Sequence, residues 1–179
     1  METISLERSR YIVKLPNHEV QREFRNLTAY YLNISGTDLN VLCNALIRNR
    51  KEDFEDKYKK LHIDFPSYHD LKDENSYHTL FLGMSIWLCN EYEIISNREE
   101  GEGRCDLILK AKIPNLPSYV LEFKYLKEIT DKKQLTFVAK QAVKQIKEKQ
   151  YDAGLDGKII YIGLAHHQKD IAIEWITKE

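Results

Sequence analysis

Two apolar segments joined by a short, proline-bounded turn constrain this chain more than any other feature. Cys105-Asp106 opens an apolar strand that runs to Lys112, a Pro-Asn-Leu-Pro turn follows at 114–117, and a second strand runs from Tyr119 to Lys124. That second strand ends in Glu122-Phe123-Lys124, and because side chains alternate along a strand, Glu122 and Lys124 share a face. The pattern therefore predicts a hairpin that sets an aspartate, a glutamate and a lysine side by side.

This grouping has a definite chemical use. Divalent cations such as Mg²⁺ take hard oxygen ligands, and Asp106 and Glu122 would supply them from adjacent strands. The Lys124 ammonium beside such a metal could orient an attacking water or stabilise charge that develops on a phosphate. The alternative is a structural ion pair of the carboxylates with Arg104 or Lys124. The buried character of the flanking residues favours the metal site, because ionisable groups there cost desolvation unless they are paired or metal-bound.

Composition sets the remaining limits. A chain of 179 residues that is 42% hydrophobic can bury the core of one domain with a helical appendage. No apolar run is long enough to span a bilayer, and Met1 to Arg8 contain no apolar signal region, so we expect neither membrane insertion nor export. Three widely spaced cysteines exclude a disulfide framework and favour the cytoplasm. The formal net charge of −1 argues against sequence-independent coating of nucleic acid.

Hydrophobic periodicity predicts an α/β core in which the elements follow in the order helix, three strands, helix, strand, strand. The helix begins at Asp73-Glu74 and carries apolar residues to Leu88, and an acidic loop from Asn97 to Gly103 separates the first strand from the hairpin. The remaining elements are a strand at Tyr92–Ser96, the two hairpin strands, a helix through Val138–Ile146, a buried strand at Lys158–Leu164 and an edge strand at Ile171–Trp175.

The first 66 residues form a helical N-terminal segment in this interpretation, and residues 67–179 form the main domain. The boundary falls between His62 and Ser67, around Pro66. The elements predicted before it are a short strand at Tyr11–Leu15, a helix from an Asn17 N-cap to Tyr31, and a helix from Leu39 that continues through Arg48–Lys60.

From about Glu74 to Trp175 the chain resembles the PD-(D/E)XK nuclease superfamily. The matching features are Tyr77-His78, the run Gly101 to Arg104 before Asp106, Glu122-Phe123-Lys124, and Gln145-Ile146 with Tyr151. The resemblance implies a restriction-endonuclease-like αβββαβ core with a mixed central sheet flanked by helices. The chain looks like one branch of that superfamily, in which the nuclease domain usually ends a longer bacterial protein that begins with an AAA-type ATPase-like domain. The segment around Pro16–Val20 resembles the connection between those domains, but no Walker A loop is present.

The resemblance implies a Mg²⁺-dependent nuclease that hydrolyses phosphodiester bonds, with DNA as the expected substrate and Mn²⁺ as a substitute metal. Asp106, Glu122 and the main-chain carbonyl of Phe123 would bind the metal, and Lys124 would orient the water. His78 is a further candidate for the metal and the catalytic set, or else a packed core histidine. Glu74 lies one turn earlier on the same helix face and is the alternative acid.

The other polar residues carry weaker expectations. Gln145 could hydrogen-bond Lys124 or a phosphate, or act as an amide cap. Arg104 could bind a phosphate or pair with Glu99 or Glu100. We interpret His166-His167 as loop residues. The predicted helix before that strand has a basic face that is either solvated or follows a phosphate backbone, and its residues are Lys140, Lys144, Lys147 and Lys149.

Two rival functions remain open from the sequence. In the first, the PD-(D/E)XK fold is catalytically silent and binds nucleic acid or a partner protein. In the second, the chain is a protein-interaction domain attached to an AAA-type ATPase. The complete set of Asp106, Glu122 and Lys124 favours an enzyme, whereas the near-neutral charge favours a binding module mildly.

Overall fold

The structure is a computed structural model that describes residues 3–6, 10–13, 18–64, 71–100, 103–129 and 131–178. Its helices are α1 (His18–Leu32), α2 (Gly36–Ile47), α3 (Lys51–Asp64), α4 (Glu74–Ser85) and α5 (Lys132–Glu148), with a short 3₁₀ turn at Ile86–Leu88. Its strands are β1 (Thr3–Leu6), β2 (Arg10–Val13), β3 (Tyr92–Glu100), β4 (Gly103–Ala111), β5 (Ser118–Tyr125), β6 (Ile159–His167) and β7 (Asp170–Thr177). No helix among these residues is long and apolar enough to cross a membrane.

The central sheet is mixed and has five strands in the order β3-β4-β5-β6-β7. Strands β3, β4 and β5 form an antiparallel meander, β6 lies parallel to β5, and β7 pairs antiparallel at the edge. The parallel pair needs a long crossover, and α5 supplies it. The architecture confirms the predicted αβββαβ core with flanking helices.

The two faces of the sheet bury different helices. The side chains that alternate along β4, β5 and β6 on one face join α2, α3 and α4 in the main core, and examples are Leu107, Leu121, Ile162, Leu42, Phe54 and Phe81. On the other face Val120 and Tyr161 pack with Val143 and Ile146 of α5. Glu122 and Lys124 follow Val120 at alternate positions, so the strand aims them away from the main core.

A glycine lets α5 lie close to the sheet. A Cβ atom at Gly163 of β6 would lie 2.1 Å from the main-chain oxygen of Ala139. Gly163 is also the register partner of Glu122 on β5. The missing side chain therefore lets α5 pack directly beside the strand position that carries the glutamate.

The N-terminal helices differ from the prediction in one respect. The helix expected to continue through Arg48–Lys60 ends at Ile47, and a separate helix begins at Lys51. Asn49 adopts a positive φ of 52° and the amide of Arg50 bonds back to the Ala45 oxygen, which is a Schellman-type helix end. The predicted N-cap at Asn17 and the boundary at Pro66 lie outside the described residues.

The sheet itself extends beyond its predicted limits. The acidic loop expected at Asn97–Gly103 is largely strand, since β3 runs to Glu100 and β4 begins at Gly103, with Glu99 opposite Arg104. The prediction that His166-His167 lie in a loop is wrong, because β6 runs to His167 between β5 and β7. In both places the strand continues beyond its apolar residues, because its backbone pairs with a neighbouring strand. The two-stranded pairing of β1 with β2 was also not predicted.

Candidate metal site

Strands β4 and β5 part at the end of the hairpin opposite its turn. Their backbone pairing runs from Leu109–Tyr119 to Leu107–Leu121 and ends there, while β4 continues along β3 and β5 continues along β6. We call this opening the strand fork. Within it, Oδ2 of Asp106 accepts a hydrogen bond of 2.9 Å from the backbone N–H of Phe123. The aspartate side chain thus satisfies a donor that the sheet leaves unpaired.

Three carboxylates meet at the strand fork. One oxygen each from Glu74 of α4, Asp106 of β4 and Glu122 of β5 lies within 4.8 Å of the other two. Glu74 is placed by the start of its helix, where the side chain of the N-cap Asp73 accepts from the N–H of Ser76. The acidic cluster therefore draws on three separate segments that only the folded chain brings together.

Lys124 is the ammonium group of this cluster. Its Nζ lies 2.9 Å from Oε1 of Glu122 and 3.3 Å from Oε1 of Glu74. Both contacts follow from geometry, because Lys124 is two residues beyond Glu122 on the same face of β5 and faces the first turn of α4. Lys124 thus bridges two of the three carboxylates.

Glu122 is the most deeply buried member of the acidic cluster, with 2% of its surface exposed. Its Oε1 accepts from Lys124 and from Nε2 of Gln145, which lies 2.5 Å away on α5. The same Gln145 nitrogen lies 3.2 Å from the Tyr151 hydroxyl. The other oxygen, Oε2, is buried and has no hydrogen-bond partner among the described residues. A buried acceptor without a donor is costly, so the site favours a further positive ligand.

The charges of the cluster do not balance, since three carboxylates face one ammonium. Burial, and then the charge of Asp106, raise the pKa of Glu122 to about 7. Burial and the charge of Asp106 also raise the pKa of Glu74. Burial works to lower the pKa of Lys124, but the charge and hydrogen bond of Glu122 outweigh it and the pKa is raised. Lys124 therefore keeps its proton, and Glu74 and Glu122 ionise at a cost that a cation would relieve.

These features fit a divalent metal ion. Carboxylate oxygens are the ligands that Mg²⁺ and Mn²⁺ prefer, and three of them come within reach of a single ion here. The unpartnered Oε2 of Glu122 is the specific atom that a bound cation would satisfy. Both the donor set and the orphaned acceptor agree with the metal site that the hairpin predicted.

The structure brings together four of the predicted site residues, namely Asp106, Glu122, Lys124 and Gln145. Glu74, the alternative acid on the first helix, joins them. His78 is buried with its Nε2 3.0 Å from Oγ of Ser96, and it lies outside the group of acidic ligands. Its role at a metal stays a prediction.

Two other predicted roles also stay predictions. The Phe123 main chain lies at the strand fork through its N–H, whereas metal binding by its carbonyl is not tested. Arg104 is exposed, and the side chains of Glu99 and Glu100 lie outside the described part of the chain, so its partner is undecided. The ion pair of Glu122 with Lys124 is present, and it coexists with the acidic cluster instead of replacing it.

Tyr151 is a site neighbour that the sequence indicated only as part of a motif. Helix α5 ends at Glu148, Gln150 takes a positive φ of 52°, and the amide of Tyr151 bonds back to the Ile146 oxygen. This reversal folds Tyr151 over the last turn of α5, where its hydroxyl meets Gln145. In the sequence, this contact was indicated only by the spacing of Gln145 and Tyr151, which lie six residues apart across the end of the helix.

An αβββαβ core that carries an Asp, a Glu-x-Lys and a helix-borne glutamine at one strand fork defines a restriction-endonuclease-like protein. A family model of the PD-(D/E)XK nuclease superfamily matches residues 72–176, more than half of the chain. The chain belongs to that superfamily, whose nucleases use divalent metal ions. A comparison with curated proteins finds no match.

Proposed function

We propose that this protein is a Mg²⁺-dependent nuclease that hydrolyses the phosphodiester bonds of DNA, with Mn²⁺ as a substitute metal. The observation that carries the proposal is the acidic cluster at the strand fork, where Glu122 holds a buried oxygen without a partner beside Asp106 and Lys124. Superfamily membership supports a hydrolase of this type.

Each residue has a physical task in this proposal. Asp106 and Glu122 would hold the metal together with the Phe123 carbonyl, and Glu74 or His78 would complete the set from α4. Bound there, the metal supplies a polarised water and neutralises charge on the phosphate. Lys124 stays protonated and directs its ammonium at the same space, where it orients the nucleophile and offsets developing charge. Gln145 holds the Glu122 carboxylate in place, and Tyr151 holds Gln145.

The wider setting is part of the proposal. The exposed lysines of α5, Lys140 and Lys144 among them, lie on the helix that carries Gln145, and they would follow the backbone of bound DNA. The resemblance to the AAA-ATPase-associated branch suggests a bacterial, cytoplasmic protein that works with an ATPase domain or partner.

The test is a calorimetric titration of Mn²⁺ together with plasmid nicking on the same samples. We expect Asp106→Asn to lose metal binding and cleavage, because the amide keeps the acceptor for Phe123 but removes the charge. Lys124→Ala should retain metal binding and lose cleavage. Asp156→Asn, which alters an exposed loop, is the matched control and should behave as wild type.

The outcomes separate the rival functions. Metal binding without cleavage of DNA or RNA in the wild type would favour a silent binding module, and absence of metal binding would show that the carboxylates are structural. The titration also shows whether Glu74 or His78 is the metal ligand that α4 contributes. A larger loss of Mn²⁺ affinity in Glu74→Gln than in His78→Gln would assign the glutamate, and the reverse would assign the histidine.

A further inference from the structure

His166 lies behind the strand fork in the main core. Along β6 the residues Ile160, Ile162 and Leu164 face the helices, and His166 follows at the next alternate position, where it is completely buried. The Tyr77 ring stacks on it with centroids 4.0 Å apart and planes at 23°. An imidazole at such a place is stabilised when both nitrogens are bonded, because an unpaired buried polar atom is costly.

Both nitrogens of His166 have partners, and the partners fix the proton. Nδ1 lies 3.3 Å from the main-chain oxygen of Lys124, which can only accept a hydrogen bond. Nδ1 therefore donates, and in the neutral ring Nε2 must accept from the hydroxyl of Tyr58, 3.0 Å away on α3. Burial, followed by the neighbouring His62, holds the pKa of His166 well below its usual range, which agrees with a neutral ring.

This chain of hydrogen bonds ends on the residue that supplies the ammonium group. The Lys124 side chain bridges Glu122 and Glu74, while its carbonyl is held from the opposite side of the sheet by His166. One residue earlier, the N–H of Phe123 is held by Asp106. The Glu-x-Lys backbone is therefore anchored on both sides at the point where β5 leaves β4.

We propose that His166 and Tyr58 are positioning residues of the nuclease site: they fix the main chain of Lys124 and so aim its ammonium at the acidic cluster. The inference rests on the proposed function and deepens it. It also makes α3, which lies in the N-terminal segment, a working part of the site, since Tyr58 is the outer end of the chain of hydrogen bonds.

The experiment compares single-atom changes in the full chain. Tyr58→Phe removes only the hydroxyl, and we expect kcat for plasmid nicking to fall about tenfold, the usual scale for groups that orient a ligating residue. KM for the plasmid and calorimetric Mn²⁺ affinity should stay within about twofold of wild type, because neither the metal ligands nor the exposed lysines change. Tyr77→Phe is the matched control, since its hydroxyl bonds the Gln168 carbonyl instead.

Two substitutions of His166 distinguish positioning from packing. Asparagine places an amide donor near the position of Nδ1 and should keep more of kcat than glutamine, whose donor lies nearer Nε2. Unchanged kcat in Tyr58→Phe would overturn the inference, as would an equal loss in Tyr77→Phe. If the His166 variants do not fold, the comparison of kcat between Tyr58→Phe and Tyr77→Phe still tests the positioning role. A wild type that neither binds Mn²⁺ nor cuts would instead overturn the proposed function, and this inference with it.

Discussion

Replacing Glu122 by glutamine tests the electrostatic account of the acidic cluster without requiring any knowledge of the substrate. Glutamine keeps the shape of the side chain and an oxygen that accepts from Lys124 and Gln145, but it cannot ionise. The cost of burying the glutamate charge beside Asp106 should therefore vanish. We expect the variant to be more stable than the wild type at neutral and alkaline pH when no metal is present.

The size of this effect follows from the Glu122 pKa, which is about 7 in the folded chain against 4.5 for an unperturbed glutamate. Each tenfold change in proton affinity is worth about 1.4 kcal/mol, so ionising the folded wild type costs about 3 kcal/mol. The pKa of Glu122 is higher in the folded than in the unfolded chain. The wild type therefore keeps its full free energy of unfolding below pH 4.5 and loses this contribution of about 3 kcal/mol as the pH rises to about 7. Above that range the two proteins should differ by a constant amount.

The assay is urea unfolding in EDTA between about pH 4 and pH 8, for the wild type and for Glu122→Gln. Glu148→Gln is the control, because its carboxylate pairs only at the exposed surface, 3.4 Å from Lys144. Addition of Mn²⁺ at the alkaline end should stabilise the wild type and leave Glu122→Gln nearly unchanged, since ligand binding to the folded state adds to the free energy of unfolding.

The reasoning would be refuted by parallel pH profiles for the wild type and Glu122→Gln in EDTA. A variant less stable than the wild type at alkaline pH would refute it too, because that result would make Glu122 a net stabilising partner of Lys124. Equal stabilisation of both proteins by Mn²⁺ would place the metal away from Glu122.

Two further predictions concern the framework. Gly163→Ala should lower the free energy of unfolding by about 3 kcal/mol, because the added Cβ would collide with the main chain of α5. Chemical denaturation measures this loss. A change below about 1 kcal/mol would contradict the close approach of α5 to β6. Tyr119→Phe removes a hydroxyl that donates to the Leu46 oxygen at the end of α2, and it should cost about 1 kcal/mol within one cooperative transition. Two separate transitions in that experiment would show that the N-terminal helices unfold independently.

The order of the elements could be predicted because each strand and helix of the core carries its own periodic signal. The hairpin strands carry the apolar runs Leu107–Leu109 and Tyr119–Leu121 on either side of a proline-bounded turn, and α5 presents a stripe through Ala139, Val143 and Ile146. The approach of Asp106 to Glu122 and Lys124 followed from strand geometry alone, since a short turn leaves little freedom of register.

Tertiary contacts decided what the sequence left open. Glu74 and His78 lie one turn apart on α4, so the sequence could name both but could not say which faces the strand fork. His166 looked like a loop residue because polar side chains follow the apolar run of β6, yet the strands on both sides continue past it, and Tyr58 of α3 and Tyr77 of α4 cover its ring. The break at Asn49 was hidden because asparagine gives a weaker signal for a helix end than glycine does.

The hairpin has a practical consequence for labelling the protein. Its turn contains Asn115, an exposed residue with a positive φ of 70°, and the strand fork lies at the opposite end of the same two strands. The six residues of β4 from Asp106 to Ala111 span about 16 Å at the usual rise per residue. A fluorophore or short tag attached at Asn115 would therefore lie at the far end of the hairpin and leave the acidic cluster at the strand fork untouched.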